Sequence, residues 1–174
     1  MGVKVPPRGT HGVEIPALRT GAVTGWSRRQ QSSFRKDGGG RTQGGLHTLL
    51  LETIGAKSGA PRVAMVGYVE EAPGSMLIIG SMSGAAHHPA WVHNLAKQPW
   101  ATVEFGGGRR VAVEAETLSG DEADQAWELI GREAAEYPAY RSQTDRELPV
   151  IRLRERPPAP DSPRSLPPRP AGAR

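Results

Sequence analysis

The chain has no cysteine among its 174 residues, so it has neither a disulfide framework nor a thiol nucleophile, which suits a reducing compartment. Aromatic residues are scarce at 5%, and the basic amino-terminal stretch offers only Trp26 and Phe34 for stacking on bases, so no nucleic-acid partner is expected. No apolar run approaches the roughly 20 residues of a membrane-spanning helix, and the first residues lack the apolar stretch and cleavage pattern of a signal peptide. The expectation is a cytoplasmic protein, with weak peripheral contact to anionic lipid through the basic arm as its only extension toward a membrane.

Several catalytic devices are missing as well. There is no G-x-G-x-x-G, and Lys57-Ser58 does not close a Walker loop, because Pro61 would interrupt the helix that must follow. Gly80-Ser-Met-Ser-Gly84 places its serines beside, not at, the centre of a G-x-S-x-G elbow. His88 and His93 are five apart, roughly 140° around a helix, which does not suit paired metal ligands, so no metal is expected.

What is present divides the chain in three. Residues 1–45 are rich in Gly, Arg and Gln with little apolar surface, and 157–174 are dominated by Pro, Arg and Ala. Neither stretch buries enough to offset chain entropy, so both read as mostly disordered tails that carry much of the net charge of +4. Residues 46–156 form one domain. Within it, strands are expected at 46–53, 62–69 and 76–81, joined by turns at 55–61 and 72–75. A short helix should run from Pro89 to about Gln98, with Trp91 and Leu95 buried and Pro99 ending it. Strands at 101–105 and 109–117 flank Gly106-Gly-Gly108. Ser119-Gly-Asp-Glu122 reads as a capping box that opens a helix whose stripe is Ala123, Trp127, Ile130 and Ala134, ending near Tyr137-Pro138. A last strand covers 150–153. The fold class is thus mainly β with added α: a small antiparallel split β-barrel of about six strands with two or three helices.

The turn at 55–61 carries the chemistry. Gly55 and Gly59 let the backbone bend with N–H groups outward, and Lys57, Ser58 and Arg62 add two charges and a hydroxyl, a donor set for a phosphate or carboxylate tail. The same residues also suit an ordinary solvated hairpin loop, and this segment alone does not decide between the two.

Three segments in fixed order, G-x-K-S-G-x-P-R (55–62), S-G-x-x-x-H-P-A-W-x-x-N-L (83–95) and Y-P-x-Y with T-D-R-x-x-P-V (137–150), resemble the deazaflavin-dependent nitroreductase family. The resemblance spans 46–153 and implies a split barrel that binds coenzyme F-420, an 8-hydroxy-5-deazaflavin. By that likeness Ala56, Lys57, Ser58 and Arg62 hold the phosphate and oligoglutamate tail. Val63, Ala64, Met65, Val66 and Gly67 run along the ring. Ile79, Gly80, Ser81 and Met82, with Ala90, Trp91, Val92, His93 and Asn94, enclose the ring and ribityl chain, where Ser81 donates a hydrogen bond and Asn94 meets polar edges. Tyr140, with Tyr137 nearby, closes over coenzyme and substrate, and its phenol can orient an oxygen of the acceptor or deliver a proton.

The chain departs from the family pattern at Met82 and Ala56, where relatives often carry cations, which leaves Arg41 as the candidate replacement; Val92 stands for a frequent tyrosine. The resulting expectation is an oxidoreductase that moves a hydride from reduced deazaflavin to an electrophilic small molecule such as a nitroaromatic, a quinone or an activated alkene, as a monomer or homodimer. Two alternatives stay open: an FMN- or haem-binding split barrel, and a noncatalytic cofactor carrier or basic-tail interaction protein.

Overall fold

The computed structural model describes residues 2–15, 28–42 and 45–157. Four α-helices lie among them: α1 (Arg28–Lys36), α2 (Ala90–Lys97), α3 (Asp121–Glu133) and α4 (Glu136–Ser142). The strands are β1 (Thr48–Ile54), β2 (Pro61–Ala72), β3 (Ser75–Ile79), β4 (Trp100–Glu104), β5 (Arg110–Thr117) and β6 (Val150–Glu155). They close a barrel in the order β1-β2-β3-β6-β5-β4, every neighbouring pair antiparallel. None of the described helices is long and apolar enough to cross a membrane.

Period-two patterning sorts the side chains. Leu49, Leu51, Val103, Val113, Ile151 and Leu153 point inward into a core that Trp91, Val92 and Leu95 of α2 close at one end. The outward set, including Leu77, Ile79 and Val150, is covered by Ala126, Ile130 and Ala134 of α3 and by Tyr137 of α4. Leu95, fully buried, illustrates the scale, since truncating such a side chain to alanine costs about 2–5 kcal/mol.

Three expectations need correction. Pro89 is the N-cap of α2, extended at ψ 146°, and not its first helical residue. The capping box at Ser119 does not form. Gly120 occupies the N-cap without a side-chain bond, because the buried Arg152 guanidinium takes the Glu122 carboxylate at 2.9 Å. The single helix expected to reach Tyr137-Pro138 is two helices that break at Ala134, with Pro138 in the first turn of α4, where a missing N–H is harmless.

The amino-terminal stretch also differs from its compositional reading. Val3 joins the inner core, Lys4 N–H donates to Thr117 Oγ1, and residues 9–13 run along residues 84–86 through Gly9 N–H to Ala86 O and Val13 N–H to Gly84 O, both 2.9 Å. Helix α1 buries Phe34 and anchors Arg35 on Glu104, which is 4% exposed. Composition misjudged these segments because their order comes from docking on the barrel, not from a core of their own. The carboxy-terminal tail expected from 157 falls, beyond Pro157, outside the described residues.

Candidate functional site

The barrel is split along one seam. β2 pairs with β1 through Pro61 to Gly67 on one edge, but with β3 only from Tyr68 onward on the other. β3 ends at Ile79, and Gly80 N–H turns away to Pro149 O at 3.0 Å. Among the described residues the second edge of β2 from Pro61 to Val66 has no strand partner, so a row of backbone donors and acceptors there is left without a ladder. Beyond β3 the chain continues through Gly80 and Ser81 into the turn Met82–Gly84. Val63, Met65, Gly67 and Val69 share the outer face of β2; Val69 lies under the helical cover, whereas Met65 is 38% exposed. An exposed thioether beside an open strand edge is a surface that a flat aromatic ligand can cover.

The cationic turn lies at one end of this seam and is firmly built. Gly55 N–H reaches Ala60 O at 2.8 Å, and Gly59 N–H reaches Gly55 O at 2.8 Å. Ser58 Oγ accepts from Ala60 N–H and from Arg62 Nη2, both at 3.3 Å, which leaves its own O–H to donate outward. Helix α2 braces the turn from below. Asn94, 6% exposed, accepts Ala56 N–H at 2.9 Å through Oδ1 and donates through Nδ2 to Thr53 Oγ1 at 2.9 Å. Asn94 is thus occupied in holding the turn instead of meeting a ring edge. Lys97 Nζ donates to Ala56 O at 2.7 Å. Sequence reasoning missed Lys97, although a lysine in the last turn of a helix ending before Pro99 was a visible signal. Lys57, Arg62 and Lys97 form no ion pair among the described residues, so three cations surround the turn without a local carboxylate. Arg41 does not supply the missing charge. Its guanidinium meets Gly45 O and His47 Nε2 at the other end of β1, about 23 Å of strand away.

The tyrosines close the opposite side. Tyr137 and Tyr140 pack edge to face with centroids 5.4 Å apart. A Cβ at Gly67 would lie 2.9 Å from the Tyr137 hydroxyl and 2.7 Å from Thr42 Cγ2, so this glycine is required by the chain's own packing. Burial, aided by Tyr140 and Glu136, pushes the Tyr137 phenol up to about 12, and its oxygen is also hydrogen-bonded to Thr42. Tyr140, half-buried, is raised as well, by burial and then by Glu136. Both phenols are therefore protonated at neutral pH and available as donors. Among the described residues Glu136 Oε1, buried beside them, has no hydrogen-bond partner.

Of the remaining expected residues, Ile79, Trp91 and Val92 are core, while Ala90 and His93 are exposed on α2. Val92 also lies 3.1 Å from the position of a Cβ at Gly80, so α2 spans from the seam to the turn. His88 is buried and its imidazole is held below its ordinary value, by burial first and by Arg146 second. Among the described residues no group of three or more His, Cys, Asp or Glu is arranged to hold a metal. The donor set matches a ligand with an anionic tail and a flat ring. Cations and outward N–H groups sit at one end, an unpaired strand edge with an exposed methionine lies in the middle, and two protonated phenols close the other end.

The family model of F420H(2)-dependent quinone reductases matches residues 20–155. An F420H(2)-dependent quinone reductase of Mycobacterium tuberculosis is 33% identical over 121 residues, covering 68% of this chain and 80% of the relative. A solved F420-H2 dependent reductase (FDR-A) is 32% identical with a TM-score of 0.55, covering 61% of this chain and 92% of that one. A second solved chain, described as a domain-swapped dimer, is 30% identical with a TM-score of 0.57, covering 72% and 95%.

Proposed function

The chain belongs to the F420H(2)-dependent quinone reductase family and is an F-420-dependent oxidoreductase, and from that premise we propose that it reduces a quinone in the cleft between β2 and residues 80–84. The observation that carries the placement is the unpaired edge of β2 lying between a three-cation turn and a pair of protonated tyrosines. When bound, reduced F-420 supplies the hydride. The protein's part is positioning and protection. Lys57, Ser58, Arg62 and Lys97 hold the phosphate and glutamate tail through charge-assisted contacts. The β2 edge and Met65 seat the ring, and Gly80 and Ser81 border it. Tyr140 donates a hydrogen bond to the acceptor's carbonyl oxygen and is the group placed to supply its proton, whereas Tyr137, tied to Thr42 and Gly67, holds Tyr140 in place.

A quinone fits this arrangement because its two carbonyl oxygens need donors and its ring needs a flat apolar neighbour; nitroaromatics and enones meet the same donors. The first test is steady-state oxidation of reduced F-420 by a soluble quinone, alongside fluorescence titration of F-420 against FMN. Binding of F-420 with quinone-dependent oxidation supports the proposal, and F-420 binding without turnover on any quinone removes the acceptor assignment. The homodimer is proposed on the likeness to the domain-swapped chain alone, and light scattering in solution tests it.

A further inference from the structure

Among the described residues Arg146, 5% exposed, stands out as a buried cation without a carboxylate partner. Its guanidinium donates instead to backbone carbonyls: Nη1 to Gly80 O at 2.9 Å and to Glu147 O at 3.3 Å, Nη2 to Ser81 O at 2.6 Å, and Nε to Ala85 O at 2.6 Å. His88 Nδ1 meets Nη1 at 3.2 Å. Burying a cation without a counter-ion is costly, and a fold that only needed to fill this space would use an apolar side chain. The carbonyls it gathers flank Met82 and Ser83, whose φ values of 47° and 50° lie in the left-handed region that non-glycine residues avoid. Such backbone persists only where its surroundings over-determine it, and it concentrates at functional sites.

The outer side of the same loop is held separately. Besides the Gly9 and Val13 bonds to residues 84 and 86, Asp145 accepts from Thr10 N–H at 2.9 Å, from Thr10 Oγ1 at 2.6 Å and from His11 N–H at 3.2 Å. Thr144 Oγ1 donates to His11 O at 2.9 Å, and Pro7 O lies 3.4 Å from His88 Nε2. A Cβ at Gly12 would sit 2.4 Å from Ala86 N and 2.6 Å from Gly84 O, so only glycine permits this docking. This segment lies before residue 20, where the family match begins.

We infer that Arg146 is a positioning residue for catalysis: from inside, with residues 7–13 clamping from outside, it fixes the strained loop 80–85 in the conformation that borders the coenzyme ring. The inference rests on the reading of the cleft as the F-420 ring site. Arg146 touches no reacting atom; it acts through Gly80, Ser81 and Ala85. Lysine would keep the charge but could not span three carbonyls at once.

The test compares the full-length protein with Arg146→Lys and Gly12→Ala by four readouts: hydrogen exchange of the 80–86 amides, the Kd of F-420, kcat for quinone reduction, and the thermal midpoint. Faster loop exchange in both variants is expected, with Kd raised and kcat lowered about 10- to 100-fold in Arg146→Lys, since ångström-scale misplacement of a site costs that much. A lowered thermal midpoint with loop exchange, Kd and kcat as in wild type would reduce Arg146 to a structural residue and overturn the inference. If Arg146→Lys does not fold, His88→Ala loosens the guanidinium by one acceptor, and unchanged exchange there overturns it equally. The exchange readout needs no coenzyme, so a wild type that failed to bind F-420 would defeat the proposed function, while the loop comparison still decided separately whether Arg146 holds the loop 80–85.

Discussion

Removing the cations of the turn should weaken F-420 through its tail alone. The variant is Lys57→Ala with Arg62→Ala, and Lys97→Ala is made separately. All three side chains are exposed, so each contact is worth the 0.2–1 kcal/mol of a solvated ion pair, not the larger value of a buried one. Two such losses sum to about 0.5–2 kcal/mol, which is a rise in Kd of roughly 2- to 30-fold, and Lys97→Ala adds up to about 5-fold. Arg62 lies toward the upper end because its guanidinium is already oriented by Ser58. The assay is fluorescence titration with F-420 and, in parallel, with the same deazaflavin ring and ribityl chain lacking phosphate and glutamates. The variants should weaken only the tailed ligand. Raising salt, which contracts the screening length from about 10 Å at 0.1 M to about 3 Å at 1 M, should close the gap between wild type and variants. Equal weakening of both ligands would refute the reasoning, because the turn would then be shaping the cleft instead of holding an anion.

Three further outcomes follow from particular side chains. Tyr140→Phe should retain F-420 binding and lose about 10²- to 10⁴-fold in quinone turnover if the phenol donates to the acceptor; untouched turnover removes that role. Arg152→Met leaves Glu71, Glu116 and Glu122 around an apolar stem. Breaking a buried pair costs about 3–5 kcal/mol, and solvent at the half-buried and exposed carboxylates reduces this to about 2–3, or roughly 5–10 °C in Tm. Hydrogen bonding by Arg152 holds the Glu71 carboxyl below its ordinary range, so this stabilisation is present above that range and lost as pH falls through the folded value; wild type and variant should converge in acid melts. His88, depressed by burial and by Arg146 with His93 also facing it, takes up its proton at a lower pH in the folded protein than the value near 6.5 of the unfolded chain. Stability should therefore be full above about pH 6.5 and decline below it, and His88→Gln should flatten that slope in pH-dependent melts.

Strand positions were legible because alternation along a half-buried strand is a local property: Leu49 and Leu51 face one way and Leu50 the other whatever else the chain does. The errors have equally physical causes. Ser119 and Glu122 carry the spacing of a capping box, but a buried guanidinium 30 residues later outcompetes a backbone N–H for the carboxylate. Asn94 has a side chain suited to a ligand, but the geometry gives it to Ala56 and Thr53. The amino-terminal segment looked too polar to order because its partners lie in residues 84–88, 117 and 144–145.

By itself the sequence determined the six-strand pattern, the helical stripe of α3, the glycine-rich cationic turn and the likeness that pointed to a deazaflavin, all of them readable from residues close together in the chain. Tertiary structure alone decided that β3 leaves β2 unpaired from Pro61 to Val66, that a lysine on α2 joins the turn, and that Arg146 buries its charge against the carbonyls of the loop 80–85. Those results depend on which distant groups compete for the same donor or acceptor, and that competition is settled only when the barrel closes and excludes water.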